Sequence, residues 1–238
     1  SLISNKKNYL HRGKYEQEAL ANSSNIIGRT TWDKACAHFI APESRYYFCN
    51  ENLRSVFYDG SQWEYEKCNK YQIAISQAGY PIKGLHKVIE TVALLCNEFP
   101  DIKVKVGGAN IFGGNWIKGN SYGIYIRQLL KKYNLQDQFE FEGFLSAEKM
   151  KRLLLESNVF VCPSSIENSP NSLGEAMILG VPCVASDVGG ISDMLTHNEE
   201  GFLYPFDDSY KMAFYIRKTF LEIKETKRRA LRAKGHAA

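Results

Sequence analysis

The chain has 238 residues, with 30 Lys+Arg against 26 Asp+Glu and a formal net charge of +4. Its 44% hydrophobic and 24% charged residues exclude a disordered, collagen-like or low-complexity chain. At roughly 150 residues per domain, the length predicts one large domain, or one domain plus part of another. The charge is too mild to imply a nucleic-acid partner, and none is expected. No apolar run approaches the ~20 residues of a membrane span, and Ser1 to Tyr9 is too polar for a signal sequence. The six cysteines, at 36, 49, 68, 96, 162 and 183, form no Cys-x-x-Cys pair. They read as free, buried thiols in a reducing compartment.

Residues 5–22 are polar and read as a solvent-facing helix, and SSNIIGRT as a short strand leaving into a turn. Thr30 or Thr31 caps a helix, WDKACAHFIA. Residues 43–70 mix aromatic and charged side chains and read as a connector. From Lys70 a regular rhythm begins: strand YQIAISQ, helix KGLHKVIETVALLCNEF, strand IKVKVGG, and a Gly/Asn-rich loop over 107–121. Helix YGIYIRQLLKKYNL, strand FEFEG, helix SAEKMKRLLLES capped by Ser146, and strand NVFVCPS follow. Helix NSLGEAMILG, strand PCVAS, short helix ISDMLTH, strand GFLYPF and one long basic helix complete the chain. Strands alternating with helices predict an α/β fold: a Rossmann-like, doubly wound parallel sheet of about six strands with helices on both faces. The continuously apolar VFVC and VPCVA fit strands buried on both sides.

In such sheets ligands bind beyond the carboxyl ends of the strands, which directs attention to three loops. The run from Pro163 to Glu175 joins a buried strand to a helix whose amino terminus, near Asn171–Leu173, offers free N–H groups and a positive dipole end. Glu167 lies in the loop and Glu175 about one turn into the helix. Carboxylates beside an anion site suit a ligand that carries hydroxyls as well as phosphate. Equally, Glu175 could balance the dipole and Glu167 be a solvated charge. The second loop carries Gly189-Gly190, which would let a ligand approach the backbone or simply form a turn. In the third, Lys83 stands just before a helix, placed either to meet a phosphate or to face water. No Asp-x-Asp occurs, so no metal and no cofactor is expected. The five histidines are scattered, and His86, on the first helix of the sheet domain, reads as structural.

Taken together, the segments from FEGFLSAEKM to GFLYPFDD resemble the carboxyl-terminal half of retaining GT-B glycosyltransferases of the glycosyltransferase 4 (glycosyl transferases group 1) family. The marker is Glu-x7-Glu, here Glu167 to Glu175, followed by EAM-x-x-G-x-P-C-V-A-S; the likeness covers about 71–206. The resemblance implies that Glu167 holds the donor sugar's hydroxyls and Glu175 the ribose hydroxyls. It also implies that Asn168, Ser169, Pro170, Asn171, Ser172 and Leu173 face the sugar and the diphosphate. Lys83, with Gly84 beside it, would neutralise the diphosphate. The family usually carries an Arg about six residues earlier, where this chain has Gln77, which can donate a hydrogen bond but brings no charge. Residues after Gly107 and around Gly143–Leu145 would border the base.

On this resemblance, residues 1–55 are the tail of an amino-terminal GT-B domain and hinge, 56–206 the nucleotide-sugar-binding domain, and 207–238 a long carboxyl-terminal helix packing back toward the other domain. The implied reaction is metal-independent, retaining transfer of a sugar from a UDP-, GDP- or ADP-linked donor to a hydroxyl of a sugar or lipid-linked acceptor. The implied setting is polysaccharide or glycoconjugate synthesis in the cytoplasm. Lys224, Lys227, Arg228, Arg229, Arg232 and Lys234 on the closing helix read as a solvated face, or as a peripheral contact with anionic lipid at the inner membrane face. This chain alone would bind donor without turnover. The alternatives are a GT-B-fold nucleotide-sugar epimerase and a non-catalytic nucleotide-sugar-binding module. A nicotinamide enzyme is excluded, because IAISQAGYPIKG replaces the Gly-x-Gly-x-x-Gly after the first strand.

Overall fold

A computed structural model describes residues 2–112 and 121–237. The chain divides into two compact units, Ser1–Asn52 and Leu53–Ala238. The boundary thus falls slightly before the expected hinge at 55.

The first unit contains α1 (Leu2–Ala21), β1 (Asn25–Gly28), α2 (Thr31–Ile40) and β2 (Arg45–Phe48). Thr30 is the cap of α2. Its hydroxyl accepts from the Asp33 amide at 3.1 Å, and the Asp33 carboxylate accepts from the Thr30 amide at 3.3 Å, closing a capping box. The strand β2 lies inside the stretch expected as a connector, and pairs in parallel with β1. Four residues, RYYF, are too few to show the alternation that marks a half-buried strand. Among the described residues of this unit only Thr30, Ala37 and Ala41 are buried, while Phe39 is 86% exposed and Ile27 72%. Two strands and two helices enclose no core here.

The second unit carries all six expected strands: β3 (Gln72–Ile75), β4 (Lys103–Gly107), β5 (Phe139–Gly143), β6 (Val159–Cys162), β7 (Cys183–Ser186) and β8 (Phe202–Tyr204). They form one parallel sheet in the order β5-β4-β3-β6-β7-β8. Its helices are α3 (Leu85–Leu95), α4 (Ser121–Tyr133), α5 (Ala147–Leu155), α6 (Asn171–Ile178), α7 (Ser209–Leu221) and α8 (Ile223–Ala237). Neighbouring residues of a strand point to opposite faces. Ile73, Ile75, Val159 and Val161 accordingly pack with Ile89 of α3, Ile126 of α4 and Ile216 of α7. Ala74, Phe160 and Cys162 pack on the other face with Leu154 of α5, Met177 of α6 and Ala233 of α8. With both faces covered, β3, β6 and β7 are buried at every residue, while β4 and the edge strand β5 keep a polar–apolar alternation.

Two expected helices differ. ISDMLTH forms only a 3-10 turn, Ile191–Asp193. The segment 207–238, expected as one long helix, is two. The chain leaves helical geometry at Glu222 (φ −93°, ψ 58°), and Thr226 Oγ1 donates to the Thr219 carbonyl across the break at 3.1 Å. α7 packs on α3 and α8 on α6, within the same unit. Nor is the basic face of α8 uniformly solvated. Arg229 is buried with its guanidinium 4.4 Å from the centre of the Phe202 ring, and desolvation lowers its pKa. Arg228 pairs with Glu225 at 2.7 Å and Arg232 with Glu199 at 3.5 Å. No helix among the described residues is long and apolar enough to cross a membrane.

The cysteines are free, as expected, but only Cys162 and Cys183 are buried; Cys36 and Cys49 are exposed. Burial pushes the Cys162 thiol up to about 12 and raises that of Cys183 as well. Iodoacetamide at pH 8 is therefore expected to alkylate Cys36 and Cys49 in the native chain and to spare Cys162 and Cys183 until denaturant is added. Peptide mass spectrometry reads this directly, and labelling of Cys162 in the native state would contradict the packing.

Candidate active site

The sheet starts at β3, runs outward to β4 and β5, then returns so that β6 lies on the other side of β3. The loops leaving β3 and β6 therefore start side by side where the strand order reverses, the place where ligands bind in such sheets. These are the loops that carry Lys83 and Glu167.

The loops are tied together through the backbone. After β3 the chain makes a 3-10 turn, Pro81–Lys83, and passes through Gly84 at φ +73°. A Cβ at Gly84 would lie 1.7 Å from the Pro163 carbonyl oxygen, so only glycine fits between the two loops. Next to it the Ser165 amide donates to the Ile82 carbonyl at 2.8 Å. On the other side, Gly189 (φ +55°) brings the loop after β7 so close to Glu167 that a Cβ would meet its carbonyl oxygen at 1.9 Å. The Gly190 amide donates to that same oxygen at 3.1 Å. The Gly-Gly pair thus admits a neighbouring loop of the protein, where the sequence left open a ligand approach or a plain turn. Together these contacts fix the backbone of Glu167 from two directions.

The side chains follow. Lys83 Nζ donates to Glu167 Oε1 at 2.5 Å, and Ser164 Oγ donates to the same oxygen at 2.7 Å. Both groups are partly buried, Lys83 at 23% and Glu167 at 14% exposure. Among the described residues no hydrogen bond ends on Glu167 Oε2. An ammonium has three donors, so Lys83 keeps two N–H groups beyond this pair. Helix α6 begins at Asn171 after Pro170, which supplies no side-chain cap.

Glu175, one turn into α6, is only 2% exposed. Both of its oxygens are taken by one residue: Arg54 Nε donates to Oε1 at 2.6 Å and Nη2 to Oε2 at 2.8 Å. This fork-to-fork pairing raises the guanidinium's pKa, against the desolvation that opposes it. Arg54 comes from the stretch expected as a connector. That stretch is held across α5 and α6 by Lys151, which donates to the Val56 carbonyl at 3.0 Å and pairs with Asp59, and by the Trp63 amide donating to the Leu179 carbonyl at 2.8 Å. Phe57, buried, stacks 5.1 Å from the Arg54 guanidinium.

The remaining predicted residues lie nearby with less definite contacts. Gln77 is exposed in the loop after β3 and borders Gly108. Gly107 ends β4, buried against the Ser76 carbonyl. Asn168 to Ser172 are partly buried along the loop, Leu173 is fully buried, and Ser169 Oγ lies 3.5 Å from Met194 Sδ. Most of the 107–121 loop, expected beside the base, lies outside the described residues. His86 is half-buried, with Nδ1 3.3 Å from the Tyr122 hydroxyl, and burial lowers its pKa. Among the described residues no three His, Cys, Asp or Glu side chains gather as a metal site.

A family model described as glycosyl transferases group 1 matches residues 62–236. The chain belongs to that family. Among curated relatives, a putative colanic acid biosynthesis glycosyltransferase, WcaL of Escherichia coli, is 29% identical over 137 residues, covering 55% of this chain and 31% of that one. A Bacillus subtilis protein, the putative glycosyltransferase YtcC, is 31% identical over 132 residues, or 55% of this chain and 30% of its own. Among solved structures, sucrose-phosphate synthase from Thermosynechococcus elongatus superposes with a TM-score of 0.78 at 19% identity, covering 93% of this chain and 55% of that one. Anabaena HepE in complex with UDP-glucose gives 0.77 at 19% identity, covering 90% and 58%. The chain thus spans about a third of the curated relatives' length and rather more than half of the solved ones'. Its fold is that of one half of these GT-B glycosyltransferases.

Within this glycosyl transferases group 1 chain the structure pairs Lys83 with Glu167, and Lys83, Glu167 and Glu175 had all been singled out from the sequence. Arg54 was not, because nothing in its local sequence marks a partner 121 positions away. The Gly84 contact carries a test. Gly84→Ala forces a left-handed backbone and a carbonyl clash, with an expected loss of at least about 3 kcal/mol from the urea unfolding free energy. Gly235→Ala, in the exposed helix α8 with nothing within 4 Å, should instead gain up to about 1 kcal/mol.

Proposed function

We propose that this chain is the donor-binding half of a retaining, metal-independent glycosyltransferase that moves a sugar from a nucleotide diphosphate sugar to an acceptor hydroxyl. The observation that carries the reading is the Lys83–Glu167 pair at the sheet's crossover crevice, with Glu175 eight residues on along the same loop and helix. In this reading the diphosphate lies between Lys83 and the amino terminus of α6. Negative charge grows on the leaving phosphate as the glycosidic bond breaks, and prepositioned positive groups stabilise that change without reorganising. Glu167, anchored through Oε1, offers Oε2 to the hydroxyls of the donor sugar and fixes its orientation. Glu175 receives the ribose. The structural relatives solved with UDP and UDP-glucose make a uridine donor the first to test. The colanic acid and amylovoran relatives support a role in surface polysaccharide synthesis. Acceptor recognition by the other GT-B half and contact with an inner membrane face belong to the same proposal.

Calorimetric titration with UDP, GDP and ADP is expected to show saturable binding of one nucleotide. Glu175→Gln should weaken that nucleotide at least about tenfold, the value of a hydrogen bond to a charged group. Lys83→Met should weaken the diphosphate at least about tenfold while leaving the nucleoside's affinity within twofold. Equal losses for nucleoside and diphosphate would remove Lys83 from the phosphate site. Gln77→Arg restores a positive charge at an exposed position of the same loop, and should tighten diphosphate binding by about threefold to tenfold at low salt.

A further inference from the structure

Arg54 covers the carboxylate that the ribose is meant to reach. With Arg54 in place Glu175 is 2% exposed, and both of its oxygens accept from one guanidinium edge. A ligand outside cannot donate to Glu175 unless Arg54 moves. The side chain that would have to move is itself 46% exposed. It sits at the start of a short 3-10 turn, Ser55–Tyr58, preceded by irregular chain. Its other contact, the Phe57 ring, lies on that same turn.

The chemistry of the two partners is matched. Arg54 presents two parallel N–H donors to the two carboxylate oxygens. The vicinal 2′- and 3′-hydroxyls of a ribose present two parallel O–H donors to the same pair. A guanidinium leaving Glu175 exposes a buried anion, which is strongly unfavourable unless both oxygens are satisfied again. A nucleotide with both hydroxyls satisfies both. One lacking a hydroxyl leaves an oxygen of a buried carboxylate unmet. From this we infer that Arg54 occupies the ribose subsite of the free chain: it stands on Glu175 as a surrogate for the ribose diol, and a nucleotide must displace it to reach the carboxylate. The inference rests on the ribose role proposed for Glu175. It adds a cost that Glu175 alone does not impose, because an open carboxylate would take the ribose without displacing a partner, and that cost is common to every nucleotide that reaches Glu175.

The test compares UDP with 2′-deoxy-UDP by calorimetry on this chain, in the wild type and in the variants Arg54→Met, Arg54→Lys and Glu175→Gln. The wild type is expected to favour UDP by on the order of 100-fold. In Arg54→Met both nucleotides should bind about tenfold more tightly or better, with the ratio between them unchanged, because the cost of displacing Arg54 is common to both. Arg54→Lys keeps the charge but not the fork, so its affinities should fall between. Binding of UDP to Arg54→Met but not to the wild type would also support the exchange. Three results would overturn it: UDP affinity unchanged in Arg54→Met, UDP binding weakened by that substitution, or no binding to either protein. Glu175→Gln separates the two claims. If it weakens UDP while the Arg54 variants leave UDP affinity alone, the ribose reading stands and the exchange fails. If it leaves UDP untouched, the ribose reading fails and takes the exchange with it. Should Arg54→Met fold poorly, the wild type still answers: the Arg54 Nε–H resonance, protected by its carboxylate partner in the free chain, should shift and lose protection at saturating UDP. A resonance unmoved by bound UDP would sink the proposal.

Discussion

Burying the Glu175 carboxylate is the constraint around which this site is organised. A carboxylate that is 2% exposed on a helix beneath a sheet needs a cation, and none of its helix neighbours supplies one. The cation arrives from Arg54, on a stretch that must therefore run across α6 and be held there. Lys151 takes the Val56 carbonyl, Phe57 fills an apolar space, and the Trp63 amide and indole N–H find the carbonyls of Leu179 and Ser157 at 2.8 Å each. What looks like a connector in the sequence is thus a structural strap over the functional helix. Its path follows from the electrostatics of one residue.

The second carboxylate is treated differently. Glu167 keeps 14% exposure, shares a lysine, and leaves an oxygen without a hydrogen bond from the described residues. Its backbone is more rigidly fixed than its side chain, because the loops after β3 and β7 close on its own loop where only glycine can stand, at Gly84 and Gly189. Rigid backbone with a partly open carboxylate suits a group that must orient a sugar. A fully sequestered carboxylate suits one whose exposure is conditional. The two acids of the Glu-x7-Glu motif therefore look alike in sequence and differ in the free chain in burial and partner, one sharing a single oxygen with a lysine and the other giving both to an arginine.

The fold of the second unit was almost wholly legible. Six strand segments, each with at least one apolar face, between amphipathic helices have few arrangements that bury every apolar face, and the parallel sheet is the one they take. The misses were local and physical. RYYF is too short to show alternation. ISDMLTH has the composition of a helix, but settles into a single 3-10 turn between Gly190 and β8. The closing helix breaks at Glu222, where no Pro or Gly announces it; the Thr226 hydroxyl bonding to the Thr219 carbonyl spans the bend instead. Cys36 and Cys49 lie in the first unit, whose described residues bury almost nothing.

The sequence by itself determined the class of sheet and the residue types in the loops at its carboxyl end: a lysine before one helix, two glutamates eight positions apart, and glycines where loops approach. These are local facts, written in periodicity and short spacing. Tertiary structure alone decided which charges meet. Lys83 reaches Glu167 across 84 positions and Arg54 reaches Glu175 across 121. Pairings of that range leave no trace in the local pattern, because they are selected by the desolvation of a buried carboxylate once the chain has closed around it.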